Sequence, residues 1–130
     1  MKRGSLILLT LPLLLFAACG GSAAMGDGAT NREANDPNLL TREQVERYTD
    51  AFQAVQTLKS QWLRVRTPPD LDSTPEVVVY ENGVRIGPPE VLRQINGGLV
   101  ENIRYYNGIT ASSRWGLGHE NGVIFVTTRN

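Results

Sequence analysis

Residues whose chemistry could support catalysis or metal binding are few in this sequence. His119 is the only histidine, and it lies in a glycine-rich loop over residues 116–122. A metal ion or a catalytic imidazole needs partners, and without a second histidine or a free cysteine those partners would have to be carboxylates alone. We therefore interpret His119 as a loop residue that is solvated or hydrogen-bonded to the backbone, and we predict neither a metal site nor a cofactor.

Two further patterns fall short of known catalytic motifs. Ser112 and Ser113 have no base at a plausible local spacing and are not framed by Gly-x-Ser-x-Gly. The glycines of residues 116–122 do not fit Gly-x-Gly-x-x-Gly, and the loop precedes a predicted strand instead of following one. The sequence thus predicts a protein that is not an enzyme.

Aromatic and basic side chains are the better candidates for binding. Trp62 and Trp115 could line a sugar-binding face, although tryptophans near helix ends are more often anchors of a core. Arg104 and Tyr106 share one face of a predicted strand, which is either a solvated face or a polar binding surface. We take Arg104 and Tyr106, together with Arg85, as the candidate binding face.

The first residues of the chain are typical of a bacterial signal peptide, which we predict over residues 1–18. Two basic residues come first, and the apolar run over residues 6–16 is too short to span a bilayer stably. Two alanines then precede Cys19. Because Cys19 is the only cysteine, it cannot form an internal disulfide, and its place directly after small residues indicates another role.

The stretch Leu15-Phe16-Ala17-Ala18-Cys19 resembles the bacterial lipobox, in which signal peptidase cuts before a cysteine that already carries a diacylglycerol. The resemblance implies cleavage between Ala18 and Cys19 and a lipid anchor on Cys19. It departs at Phe16, where the family prefers leucine. The alternative is an ordinary secreted protein with an incidental cysteine. Glycine, and not the aspartate that retains many lipoproteins in the inner membrane, follows the cysteine, so we expect a lipid-anchored protein of the outer membrane that faces the periplasm.

The charge of the mature chain argues against one class of partner. Once Lys2 and Arg3 leave with the signal peptide, eleven of the thirteen basic residues remain against thirteen acidic ones, so the net charge is slightly negative. Nucleic-acid-binding proteins usually carry a basic stripe that neutralises phosphates. We therefore expect no nucleic-acid partner, and we expect membrane lipid, through Cys19, and an envelope protein or a glycan as partners.

The mature chain is predicted to begin with a tether and one long helix. Residues 19–40 are rich in small and polar residues without an apolar period, which is typical of a flexible tether. Thr41 and Gln44 form a capping-box pattern, and apolar residues then recur at helical spacing, which predicts one long amphipathic helix over residues 42–59. With the residues that pack near its end, this segment covers residues 41–66, and a proline-containing loop follows it.

The remaining chain predicts a sheet, with elements in the order β-β-α-β-α-β. Asn82 and Gly83 separate two β-branched runs, which is a strong hairpin signal. A short helix opened by two prolines, a strand that contains Arg104 and Tyr106, and a second short helix over residues 110–115 follow. The last strand covers residues 122–129. The predicted turn glycines are Gly83, Gly116 and Gly122.

The apolar pattern also predicts which strands are central. Residues 77–80 and 123–126 are apolar on both faces, which is typical of strands inside a sheet. Residues 84–86 are short, carry Arg85 and precede two prolines, which is typical of an edge strand. An extended peptide of another envelope protein can add to such an edge, with Arg85 facing outward. The fold class is therefore α+β, with helices available to cover both faces of the sheet.

Three stretches of this half resemble the plug domain of TonB-dependent outer-membrane receptors, particularly of the large polysaccharide-importing type. They are residues 78–84 with the Asn-Gly turn, residues 100–106, and residues 110–129 with an Ala-x-x-x-Trp-Gly turn and an Asn-Gly-Val-Ile strand. The likeness covers residues 76–129 and implies a plug-like fold in the cell envelope. In a receptor a β-barrel of many strands follows the plug. We expect no barrel in this chain, so receptor activity is not implied.

The expected function is accordingly that of a non-catalytic, membrane-anchored envelope lipoprotein whose plug-like domain is a binding or scaffolding module. The alternative is a lipoprotein that binds a small ligand, a glycan or a siderophore, and works with a separate outer-membrane transporter.

Overall fold

The described part of the chain is organised around one sheet. The computed structural model describes Arg32, residues 35–65 and residues 76–130. The predicted signal peptide, Cys19, most of the predicted tether and the proline-containing loop lie outside the described residues. The strands are β1 (Leu39–Thr41), β2 (Val78–Glu81), β3 (Val84–Gly87), β4 (Val100–Tyr106) and β5 (Val123–Thr128). The α-helices are α1 (Arg42–Val45), α2 (Ala51–Leu58) and α3 (Gly108–Trp115), and 3₁₀ helices cover Ser60–Leu63, Pro89–Gln94 and Gly97–Leu99.

The five strands form an open mixed sheet in the order β1-β4-β5-β2-β3. β2 and β5 are parallel, and the other neighbours are antiparallel. The predicted α+β class, the central places of β2 and β5, and the edge position of β3 are confirmed. The sequence did not predict β1, because Leu39 and Leu40 fall at the end of the predicted tether. They pair instead with Arg104 and Ile103 of β4.

The predicted hairpin is confirmed, and its turn also contacts the end of β5. Asn82 and Gly83 have φ angles of 49° and 88°, the two positive values that a type I′ turn requires. The Asn82 side chain donates to Thr128 Oγ1 at 2.7 Å and accepts from the Thr128 backbone N–H at 3.0 Å. Asn82 therefore links the β2–β3 turn to the carboxyl end of β5.

The single long helix over residues 42–59 is wrong, because the chain leaves α1 after Val45 and starts again at α2. The Asp50 side chain accepts a hydrogen bond from Gln53 N at 2.8 Å and so caps a new helix. The intervening backbone bonds elsewhere: Ala51 N donates to Ile95 O at 2.9 Å, and Gly97 N donates to Thr49 O at 3.1 Å. These bonds satisfy groups that a continuous helix would have used internally.

One face of the sheet, which we call the core face, carries the larger apolar cluster. Its strand residues are Leu40, Val79, Val100, Ile103, Tyr105, Ile124 and Val126, and residues of α1, α2 and the 3₁₀ helices cover them. The Trp62 ring stacks on the Tyr105 ring at 5.5 Å. The short helix predicted after the prolines forms here as the 3₁₀ helix Pro89–Gln94, with Leu92 buried. The core interpretation of Trp62 is confirmed, since this side chain is only 2% exposed.

Candidate functional site

The opposite face of the sheet, which we call the α3 face, holds all three residues of the candidate binding face. Directly opposed residues of neighbouring strands point to the same side. The register therefore places Arg85, Tyr80, Phe125 and Arg104 in one row across β3, β2, β5 and β4. Tyr106 lies in the next row along β4. Arg85 and Arg104 are three strand spacings apart, about 14 Å, so they do not form one compact site.

α3 covers the middle of this face with an aromatic cluster. Ala111 and Trp115, one helical turn apart, both point towards the sheet. The Trp115 ring lies 5.1 Å from Tyr80, 5.2 Å from Tyr106 and 6.3 Å from Phe125. Trp115, Tyr106 and Phe125 remain half-buried. The cluster is thus a partly accessible aromatic surface.

The arginines of this face differ in their partners. The Arg114 guanidinium lies 4.8 Å from the Trp115 ring centre, and its Nη1 donates to the Tyr106 hydroxyl at 3.2 Å. Arg104 Nη1 forms an ion pair with Asp36 Oδ2 at 3.2 Å. Arg85 is exposed and forms no ion pair with any residue that the structure describes. Of the three, Arg85 keeps its charge most available to a partner.

His119 is buried and joins the loop after α3 to the sheet. Its side chain is 3% exposed. Nδ1 lies 3.0 Å from Gly116 O and Nε2 lies 3.0 Å from the Tyr80 hydroxyl. Since a carbonyl oxygen can only accept, Nδ1 donates to Gly116 O, and Nε2 shares a hydrogen bond with the Tyr80 hydroxyl. The backbone bond was predicted, whereas the solvated alternative is wrong and the bond to Tyr80 was missed.

The hydrogen bonds of His119 lie within the protein. Both ring nitrogens already have partners, and neither faces solvent. Among the residues that the structure describes, no group of three or more His, Cys, Asp or Glu side chains could hold a metal ion. His119 therefore acts as a structural bridge on the α3 face.

A carboxylate secures the same loop. Glu120 Oε1 accepts from Gly118 N at 3.0 Å. This bond, with a further one from its own backbone N–H, holds the pKa of Glu120 below its usual range. The charged form of Glu120 is thus the form that stabilises the loop.

The predicted turn glycines all have positive φ values. Gly83 occupies the hairpin turn, and Gly116 (φ 87°) ends α3. Gly122 (φ 102°) precedes β5, where a Cβ atom would lie 2.6 Å from Tyr105 Oη and 2.7 Å from Tyr106 O. Close approach between the loop and β4 therefore requires glycine at position 122.

The two edges of the sheet differ in how their outward backbone groups are used. At β1, Leu39 N donates to Asp36 O at 3.1 Å and Thr41 N donates to Gln44 Oε1 at 2.9 Å. At β3, the residues that flank the two-residue turn bond each other, so the N–H and C=O of Arg85 point away from β2. Val84 beside it is 64% exposed. β3 is therefore the edge that can accept another strand.

Comparison of the chain with models of known protein families, with curated proteins and with solved structures found no match. The fold and this face define an α+β domain with a five-stranded mixed open sheet, one apolar face and one aromatic and basic face. None of the helices in the described ranges is long and apolar enough to cross a membrane.

Proposed function

We propose that this chain is a non-catalytic, lipid-anchored envelope protein whose plug-like domain binds an extended segment of another envelope protein at the β3 edge. The observation that carries the proposal is the contrast between the two edges. The outward N–H groups of β1 are used within the chain, whereas those of β3 at Arg85 face solvent. An extended peptide gains main-chain hydrogen bonds from such an edge.

The side chains of β3 specify the chemistry of the partner. A residue opposite Arg85 on the added strand would share its face, where a carboxylate is favoured over any other charge. The residues before and after it on the added strand would lie beside Val84 and Ile86, and Val84 is widely exposed. The preferred segment therefore reads apolar-acidic-apolar. Pairing of two β3 strands about a twofold axis at Arg85 would oppose two arginines, which disfavours self-association through this edge.

The non-catalytic part of the proposal is supported by the state of the only histidine. His119 is buried and bonded at both nitrogens. A general base must reach the proton that it removes from a substrate. A binding function does not require His119 to contact a substrate, so His119 can keep its structural role.

A peptide selection on the purified mature protein tests the binding mode. Random seven-residue peptides displayed on phage should be enriched for an acidic residue between two apolar ones. Arg85→Glu should shift the enriched residue to lysine or arginine, because the charge opposite has been inverted. Arg85→Pro should abolish enrichment, because proline removes the outward N–H.

The matched control is Arg47→Glu, which changes the net charge equally at an exposed site outside the sheet. This variant should retain the wild-type preference. Enrichment that is the same in Arg85→Glu and in the unchanged protein would reject the β3 edge as the binding site.

The lipid anchor has its own test. Cys19→Ala should prevent acylation, because the thioether to the diacylglycerol needs this sulfur. The variant should remain in the aqueous phase on detergent phase partitioning, while the unchanged protein enters the detergent phase. Entry of a processed Cys19→Ala protein into detergent would contradict the lipobox interpretation.

A second candidate function is the binding of a small glycan or siderophore on the α3 face. The half-buried rings of Tyr106, Trp115 and Phe125 beside Arg114 favour it, since aromatic faces stack on such ligands. In a Trp62→Phe variant, fluorescence reports Trp115 alone. Titration with candidate glycans or ferric siderophores should then change this emission, and an unchanged emission throughout would favour the β3 edge.

A further inference from the structure

The outer surface of α3 carries the most exposed large apolar side chains of the described residues. Ile109 is 87% exposed, and Leu117, in the turn after the helix, is 93% exposed. Ile109 precedes Ala111 by two residues, so it lies about 200° around the helix from the side that packs on the sheet. Ser113 and Arg114 are exposed between them. This surface therefore presents two apolar side chains with uncharged and basic residues beside them.

The chain enters the described domain on the same side of the sheet. Asn38 O accepts from Tyr105 N at 2.9 Å, and the side chain of Asp36 pairs with Arg104, which belongs to the α3 face. Arg104 lies near the carboxyl end of β4, and α3 begins two residues after that strand at Gly108. The described chain thus begins on the side of the sheet that α3 covers.

We propose that the outer surface of α3 contacts the phospholipid bilayer in which the chain is anchored, with Ile109 and Leu117 entering the boundary between headgroups and acyl chains. This inference rests on the lipid anchor of the proposed function. Asn35 is sixteen residues after Cys19, a contour of at most about 55 Å. The domain is therefore held close to the lipid, and apolar side chains on the tethered side gain by leaving water.

The chemistry beside the apolar residues fits a phospholipid surface. The Arg114 guanidinium lies over the Trp115 ring, but Arg114 is exposed and can turn its charge to a headgroup phosphate. Exposed hydroxyl groups of Thr110 and Ser113 carry no charge that would have to be desolvated. β3 forms the edge of the sheet opposite to β1, and the described domain begins just before β1. Contact through α3 therefore leaves β3 accessible to a protein partner.

Single-cysteine fluorescence on the full mature lipoprotein tests this inference. Because acylation occupies the sulfur of Cys19, a cysteine introduced at position 117 or 109 is the only free thiol. Leu117→Cys and Ile109→Cys, labelled with the environment-sensitive dye NBD, would be reconstituted in vesicles of phosphatidylethanolamine and phosphatidylglycerol. The matched control is Val84→Cys, an exposed apolar position on the β3 edge.

Labels at positions 117 and 109 should brighten several-fold and shift to the blue on reconstitution, and nitroxide lipids should quench them. The label at position 84 should do neither. If the protein floats with the vesicles but all three labels behave alike, the α3 contact is wrong while the anchor stands. If the unchanged protein does not float and reacts with a maleimide at Cys19, the anchor fails, and the α3 contact fails with it.

Discussion

The two faces of the sheet divide the stabilisation of the domain unequally. The core face is covered by several segments from both halves of the described chain, and its cluster includes Trp62, Ile103 and Ile124 with no more than 2% exposure. The α3 face is covered by one helix and its loop, and the rings of Tyr106, Trp115 and Phe125 remain half-buried. The difference teaches that one face of a sheet can supply most of the buried apolar surface while the other face stays partly hydrated.

The comparison is tested most strongly by the two tryptophans, one on each face. Trp62→Ala should lower the free energy of unfolding by about 3–5 kcal/mol, because it empties a buried site against Tyr105. Trp115→Ala should cost roughly half as much, since that ring is already partly hydrated. Urea denaturation followed by circular dichroism measures both.

Trp62→Phe keeps a ring against Tyr105 and should therefore recover most of the free energy of unfolding that Trp62→Ala loses. If Trp62→Ala does not fold, Trp62→Phe replaces it in the comparison. Equal destabilisation by the two alanine variants would show that the α3 face contributes as much to folding as the core face, and the division would be wrong.

A smaller effect is expected at the buried His119–Tyr80 bridge of the α3 face. Tyr80→Phe should cost about 1–3 kcal/mol, because Nε2 of His119 loses its partner while remaining buried. Tyr106→Phe is the matched control on the same face, and its hydroxyl bonds the exposed Arg114. That change should stay within about 0.5 kcal/mol. If chemical denaturation gives the two variants the same stability, the bridge has no energetic role.

The smallest effect concerns pH, through two described carboxylates with a lowered pKa, one beside each face. The backbone N–H and Thr41 hydroxyl bonds of Glu43 lower its pKa beside the core face, and the Gly118 bond lowers that of Glu120 on the α3 face. Protonation removes these bonds, so the stabilisation is present above the ordinary glutamate pKa of 4.5 and is lost as pH falls through the lowered value.

Carbon-detected NMR titration should show both carboxyl groups titrating below their usual range. Glu120→Gln should make the acid-side loss of stability shallower, and Glu43→Gln should do the same independently. A normal titration of Glu120 would mean that the loop after α3 lacks the Gly118 bond in solution.

Much of the sheet could be predicted, because its signals are local. Two positive-φ residues between β-branched runs predicted the β2–β3 hairpin at Asn82 and Gly83, and continuous apolar runs predicted that β2 and β5 are central. The shared face of Arg104 and Tyr106 followed from strand alternation alone. These features depend on residues a few positions apart.

The missed features depend on contacts distant in sequence. β1 has only three residues, and its pairing with β4 has no local pattern. The break before Asp50 is decided by bonds to Ile95 and Gly97, which lie over forty residues further on. The partner of His119 is Tyr80, 39 residues earlier. For the Tyr80–His119 bond, the available signal was the aromatic residues at alternating strand positions. That pattern indicates which side chains share a face of the sheet, but it does not indicate which residue each of them contacts.

The central position of β5 has a consequence for how the protein matures. β5 follows every other described strand along the chain, yet it lies between β4 and β2. While the nascent chain lacks β5, β2 has a partner only in β3, and β4 has a partner only in β1. Both strands would present open edges, and the sheet could not close. The described sheet is therefore completed only after synthesis of β5, and the β2–β5 pairing has a long sequence separation, which makes it intrinsically slow. A chain that emerges gradually therefore cannot close this sheet until β5 has been made.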